Sequence, residues 1–234
     1  MKHFIFDVDG TITPSRRNID PDFKKFFNNF CIKNKVSLVT GSDKEKTVEQ
    51  IGNDTYNLCW RVYNCNGSDI WQSKKNIFKD YWVLPKDVEE WLSGFLTESK
   101  FVLRTGLHFE HRTGMCNFSI VGRNATLGER MLYVKFDKEH NERNRIADML
   151  NVRFPNVNAK VGGETGIDIS KKHSDKSQIL KYFDDGEELH FFGDAMHKEG
   201  NDYPLKKVIL DKGRGFCYTI KDYKETWDIL KDYD

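Results

Sequence analysis

Apolar residues recur along this chain in two rhythms, and the change from one to the other marks the predicted elements. A short run, Lys2 to Asp7, is apolar at its centre (Phe4 to Phe6) and ends on an acid, which predicts a buried strand. Asp20-Pro21 then supplies an N-cap residue followed by proline at the first helical position. Phe23, Phe26, Phe27 and Phe30 follow at i, i+3, i+4, i+7, the spacing of one apolar helix face. Val36 to Val39 predicts the next strand. Ser42 with Glu45 has the form of a capping box opening a helix to Ile51, and Gly52 is expected to stop it. Near the C-terminus the pattern returns, as a helix over Ser174 to Phe183, a strand over Glu188 to Phe192 and another over Val208 to Leu210. Strand and helix alternating at this spacing imply crossover connections and a mostly parallel sheet.

The middle of the chain reads differently. A helix over Pro85 to Leu96 carries Val88, Trp91, Leu92 and Phe95 on one face. Three short strand candidates follow, Phe101 to Arg104, His108 to Arg112 and Met115 to Val121, separated by turn residues Gly106 and Thr113-Gly114. A polar helix over Asn141 to Leu150 precedes strands at Val157 to Val161 and Gly166 to Ile169. Hairpin-like strands in series predict an antiparallel sheet with helices on one side. The expected architecture is therefore α/β: a Rossmann-like, mostly parallel core from residues 1–81 and 172–234, with an inserted α+β domain over 82–171.

Charge and cysteine content narrow the function classes. Lys plus Arg number 37 and Asp plus Glu 36, a balance that argues against a protein built to coat nucleic acid, which needs a clustered basic excess. The opening apolar run is too short for a signal peptide, and no stretch reaches the length of a membrane-spanning helix. The five cysteines are scattered without Cys-x-x-Cys spacing, so they are read as reduced thiols of a cytosolic protein.

The sharpest chemical signal is Asp7-Val8-Asp9-Gly10-Thr11, directly after the first strand. Alternation along an extended segment places Asp7 and Asp9 on one side. Two close carboxylates repel unless one keeps a proton or a cation neutralises them, and a divalent metal favours such oxygen ligands. One carboxylate can then attack phosphorus while the other handles the proton of a sugar or water oxygen. Gly10 permits a sharp exit from the strand, and Thr11 has a hydroxyl to offer a phosphate oxygen. A strand ending in Gly193-Asp194, followed by Asn201-Asp202, presents further carboxylates at the carboxyl edge of the predicted sheet, where open α/β folds bind ligands.

Asp7 to Thr11 resembles motif I of the haloacid dehalogenase superfamily, and its extension through Thr13-Pro14-Ser15-Arg16 is similar to eukaryotic-type phosphomannomutases. The resemblance implies Asp7 as nucleophile and Asp9 as acid/base, with Arg16, or its neighbour Arg17, on phosphate. It implies Thr40 or Ser42 as the motif II hydroxyl, Lys176 as the motif III lysine, and magnesium held by Asp7, Asp194 and the backbone near Asp9, with Asn201 and Asp202 in support. His111 to Asn117, Val121-Gly122-Arg123 and Gly128-Glu129-Arg130 resemble the family's cap, where Arg112, Arg123 and Arg130 would hold the phosphate distal to the reacting one. Gly166-Ile167-Asp168 stands where the family has Ser-Phe-Asp, so Asp168 is kept as a sugar-hydroxyl acceptor while Gly166 loses a hydroxyl contact. The segment Ile169 to Lys176 keeps the family's length without its Pro, Gly and Trp.

The implied activity is interconversion of hexose 1-phosphate and hexose 6-phosphate, with mannose the preferred sugar and a hexose 1,6-bisphosphate as activator and intermediate. A homodimer through the inserted domain is implied by the resemblance alone. The rival enzyme reading is a capped sugar-phosphate phosphatase. A non-turnover phospho-switch also combines an acceptor Asp, a Lys and magnesium, but it needs neither an inserted domain nor a paired acid/base.

Overall fold

The computed structural model describes residues 2–15 and 17–233; Arg16 lies outside them. The chain divides into two units, Met1–Asp80 with Ser174–Asp234, and Tyr81–His173.

The first unit is built on one seven-stranded sheet. Its strands are β1 (Lys2–Phe6), β2 (Lys35–Val39), β3 (Arg61–Asn64), β4 (Asp69–Gln72), β5 (Lys75–Lys79), β10 (Glu188–Gly193) and β11 (Gly215–Thr219), in the order β11-β10-β1-β2-β3-β4-β5. From β11 to β3 the strands run parallel, and β4 and β5 close the edge as an antiparallel hairpin. Parallel strands covered on both faces read as continuous apolar runs, and β1 does so. Phe4 and Phe6 pack on α1 (Pro21–Lys33) through Phe23, Phe27 and Phe30, while Ile5 faces the opposite layer with Leu189 and Phe191. Each fully buried phenylalanine contributes about 1.5–3 kcal/mol. Asp20 caps α1 by accepting from the amides of Asp22 and Phe23, as the sequence predicts.

Several expected boundaries move. Ser42 is not the cap of α2 (Lys44–Leu58): Asp43 is, accepting from the Lys46 amide at 2.8 Å. Gly52 does not end that helix but kinks it at φ +82°, ψ 152°, and the chain turns helical again to Leu58. Val208 to Leu210 is not a strand; it lies in α6 (Tyr203–Asp211), with Leu205 and Ile209 buried a turn apart. The strand beside β10 is instead β11, with Cys217 and Tyr218 half-buried and Phe216 exposed. Ser174 to Phe183 contracts to a 3-10 segment, Lys176–Tyr182, and α7 (Tyr223–Leu230) closes the first unit.

The second unit carries a four-stranded antiparallel sheet, β6 (Phe109–Arg112), β7 (Met115–Phe118), β8 (Val157–Gly162) and β9 (Gly166–Lys171), ordered β6-β7-β9-β8. Its apolar face, with Cys116, Phe118, Ile167 and Ile169, packs against α3 (Lys86–Glu98), α4 (Leu127–His140) and α5 (Glu142–Arg153). Phe101 to Arg104 forms no strand. The Arg104 guanidinium takes the carbonyls of Phe101 and Leu103 within it, and those of Leu96 and Ser99 before it. All five cysteines are free thiols. No helix among the described residues is long and apolar enough to cross a membrane.

A buried polar network pins the amino ends of the strands. His3 is 1% exposed, with Nε2 2.8 Å from the Ser37 hydroxyl and Nδ1 3.3 Å from Glu187, whose carboxylate also pairs with Lys35 at 2.5 Å. Burial, opposed by Glu187, pushes the His3 imidazole down to about 4. The folded chain therefore refuses a proton that the unfolded chain accepts below its ordinary value near 6.5. Stability is full above that value and drains as pH falls toward about 4, by about 3 kcal/mol in total. Urea melts across this window should show the loss in the native chain, and a His3→Gln variant should show a flatter acid limb.

Candidate active site

The carboxyl ends of β1, β2 and β10 meet at the point where the strand order reverses, and the chemistry-bearing residues collect there. A cavity of about 500 Å³ is lined by Asp7, Asp9, Thr40, Gly41, Ser42, Lys46, Asp194, Ala195 and Asn201. Asp7 continues β1 by one residue, its amide donating to the Phe192 carbonyl of β10 at 2.9 Å. The chain then wraps tightly: the amides of Thr11, Ile12 and Thr13 all point at the Val8 carbonyl, and Gly10 donates to the Thr13 carbonyl. Gly10 sits at φ +76°, and a Cβ there would lie 2.3 Å from Asp194 Oδ2, so only glycine lets the two loops touch. Thr11 is fully buried and outside the cavity lining; its carbonyl accepts from the Thr226 hydroxyl at 2.7 Å, and Oγ1 meets no partner.

Lys176 is the electrostatic centre. Its Nζ lies 2.5 Å from Asp7 Oδ1 and 2.6 Å from Asp202 Oδ1, and the ammonium is fully buried. Asp202 in turn accepts from the Ala195 amide at 3.1 Å, which ties the α6 entry to the loop carrying Asp194. Burial disfavours the lysine charge, but Asp7 and Asp202 outweigh it and hold its pKa above the ordinary lysine range. One lysine cannot neutralise three carboxylates. Burial, offset in part by Lys176 and reinforced by Asp202 and Asp194, pushes Asp7 up to about 7. Asp194 is raised as well, by burial and then by Asp202. Carboxylate oxygens of Asp7, Asp194 and Asp202 lie within 4.8 Å of one another, an all-oxygen set that fits a hard divalent cation. Asp202, expected only to support the ligands, is a full member of this set. The Asp9 carboxylate is turned elsewhere, onto Gln50 Nε2 at 2.8 Å.

At the end of β2, Thr40 Oγ1 accepts from the Ser42 amide at 3.1 Å, which leaves its proton free to donate. Ser42 lines the same cavity once Asp43 has taken over the capping role. Sequence reasoning missed two residues here. Gln50 shows itself in hindsight as a polar side chain on the face of α2 that buries Thr47 and Ile51. Lys46 lines the cavity from the first turn of α2, paired with Glu49 at 3.0 Å.

The second unit groups part of its predicted set. Glu110 receives Arg112 through Nε and Nη2, both at 3.0 Å, and also pairs with Arg123, so one carboxylate joins the two guanidiniums. Arg130 is directed to Glu164 in the β8–β9 turn, at 3.2 Å. Asp168 accepts from Asn117 Nδ2 at 2.5 Å. A Cβ on Gly166 would meet that same amide nitrogen at 2.4 Å, so Asn117 fills the space of the missing serine side chain.

Comparison with solved structures defines the class first. A haloacid dehalogenase-like hydrolase from Bacteroides thetaiotaomicron superposes with a TM-score of 0.65 at 14% identity, covering 100% of this chain and 99% of that one. A sugar phosphatase of haloacid dehalogenase subclass IIB gives 0.59 at 14% identity over 100% and 99%. The fold is that of the haloacid dehalogenase superfamily. Sequence comparison is more particular: the model of eukaryotic phosphomannomutase matches residues 23–233. The phosphomannomutase of Oryza sativa subsp. indica is 33% identical over 232 residues, covering 95% of this chain and 91% of the relative. That of Saccharomyces cerevisiae is 31% identical over 238 residues, covering 97% and 92%. The chain belongs to the eukaryotic phosphomannomutase family.

Proposed function

We propose that this chain interconverts hexose 1-phosphate and hexose 6-phosphate, mannose being the preferred sugar, through an aspartyl-phosphate at Asp7 and a hexose 1,6-bisphosphate that also serves as activator. The observation that carries the reading is the buried Asp7–Lys176–Asp202 arrangement opening into a cavity that a second acid, Asp9, also lines. Asp7 attacks phosphorus and the bond from phosphorus to the sugar oxygen breaks. Asp9 gives that oxygen its proton, then takes one from the hydroxyl that attacks next. Lys176 stays charged throughout and offsets the negative charge passing to Asp7. Thr40 and Ser42 donate to the transferring group, and Arg112, Arg123 and Arg130 hold the distal phosphate as planar bidentate donors. Magnesium, held by Asp7, Asp194 and Asp202 with Asn201 near, would neutralise charge that builds on the phosphoryl oxygens. A homodimer through the inserted unit belongs to the same reading, and light scattering tests it.

A phosphorus NMR time course with mannose 1-phosphate and glucose 1-phosphate, each with and without bisphosphate, decides between the family's activity and its rival. Isomer formation that depends on the activator supports the mutase; inorganic phosphate released at a comparable rate supports a capped phosphatase. The second reading has one observation behind it, the hydroxyl absent at Gly166, where Asn117 stands instead.

The raised Asp7 gives a proton-linked expectation for the metal. Because Asp7 is pushed up to about 7, a proton competes with the cation below that value, and binding must release it. Magnesium affinity should weaken by up to about tenfold for each pH unit below about 7 and level off above it. Calorimetric titrations in buffers of different ionisation enthalpy read the released proton directly; a flat affinity across this range contradicts the assignment.

A further inference from the structure

Gln50 is 2% exposed and stands on α2 two residues before the kink at Gly52. Its backbone is fixed from outside the helix, since its carbonyl accepts from the Ile19 amide at 2.9 Å. Its side chain points the amide nitrogen at two acceptors, Asp9 Oδ1 at 2.8 Å and the Arg17 carbonyl at 3.5 Å. Neither can donate when Asp9 is ionised, so the orientation of the amide is decided by its partners. The other end, Oε1, is buried with no donor. A helix face that accepts an orphaned carbonyl to keep a nitrogen on Asp9 has a use for that nitrogen. The backbone of Asp9 is already held, by its bridge to Thr13 and the turn at Gly10. Gln50 bears on the carboxylate itself, at Oδ1.

We propose that Gln50 is a positioning residue for Asp9, holding its carboxyl group toward the sugar oxygen and away from the Asp7–Asp194–Asp202 cluster. The inference rests on the reading of Asp7 as nucleophile and Asp9 as acid/base. In the loading step the Asp7 oxygen bonds phosphorus, the phosphorus–sugar oxygen bond breaks with its electron pair leaving on oxygen, and the Asp9 proton goes to that oxygen. In the return step the proton moves back to Asp9 from the attacking hydroxyl as the phosphorus–Asp7 bond breaks. A mis-aimed Asp9 slows the loading step in proportion to how much the leaving oxygen needs a proton.

Leaving-group dependence tests this. Gln50→Met keeps the shape and removes the donor; Gln50→Glu keeps an oxygen in place and also removes it. Single-turnover quench experiments follow phosphorylation of the magnesium-loaded enzyme from mannose 1,6-bisphosphate, whose sugar alkoxide needs a proton, and from p-nitrophenyl phosphate, whose phenolate does not. Loading from the sugar ester is expected to fall about ten- to a hundredfold in both variants, with a several-fold smaller loss for the aryl ester. Equal losses for the two esters, or none, overturn the assignment even if both variants melt like the parent. If the parent enzyme forms no acyl-phosphate on Asp7 from either donor, the functional reading fails first and Gln50 falls with it.

Discussion

Replacing Asp7 by asparagine is expected to abolish phosphoryl transfer, by at least about a thousandfold and up to about a millionfold in kcat, while the metal-free protein melts at a higher temperature than the parent. The first part follows from role: the amide cannot form an acyl-phosphate, and losses of this size attend removal of a nucleophile. The second follows from the surroundings. Asp7 is 4% exposed, and burial, Asp202 and Asp194 together make its charged form the unfavourable one, which is why it is pushed up to about 7. A neutral amide of the same shape relieves that repulsion, and Lys176 keeps Asp202 as its counter-charge. The gain should be largest above about pH 7, where the native Asp7 is ionised, and should vanish at acid pH, where it already carries a proton. Turnover measured beside calorimetric melts at two pH values checks both halves. Ordinary turnover in this variant would remove the nucleophile assignment altogether.

Lys176→Met is expected to be as damaging to the fold as to the chemistry. The lysine is fully buried between Asp7 at 2.5 Å and Asp202 at 2.6 Å. Removing it leaves the buried Asp7 and Asp202 carboxylates with no counter-charge, a loss of about 3–5 kcal/mol. On the proposed assignment magnesium would supply positive charge to the same oxygens, so added metal should recover part of the melting temperature without recovering activity. Denaturant melts with and without magnesium, beside turnover, separate the two. A variant as stable as the parent in the absence of metal would mean that these carboxylates are held by something other than Lys176.

The contrast between what the sequence discloses and what it hides follows a physical line. β1, α1, β2 and the Gly193-Asp194 edge are legible because their side chains are either buried on both faces or repeated at helical spacing. Asp7 and Asp9 are legible because an acidic pair on a strand end is too costly to be incidental. The hairpin β4–β5 is not, since β5 is exposed along its whole length and alternates nothing. α4 is hidden for a related reason: Leu127, Met131 and Leu132 face outward while Asp137 is buried, which blurs any apolar stripe. Its Thr126–Glu129 capping box was the available clue. Ser42 reads as a cap because Glu45 stands three residues on, and the Lys46 amide hydrogen bond to Asp43 shows that its neighbour serves instead. Gln50 is not legible in the sequence because its partner, Asp9, is far away along the chain and 2.8 Å away in space.

The central position of β1, between β2 and β10, has a consequence for biogenesis. On the ribosome, β1 and β2 emerge early, whereas Lys176 and β10 follow only after the whole inserted unit has been synthesised. Until then β1 presents an open edge and the apolar residues that later meet Phe191 and Phe192, in a nascent chain unable to close its own sheet. Translation arrest before residue 188 should therefore leave a chaperone-dependent, aggregation-prone intermediate, and the speed of elongation through the last quarter of the message should govern how much of the product is recovered in native form.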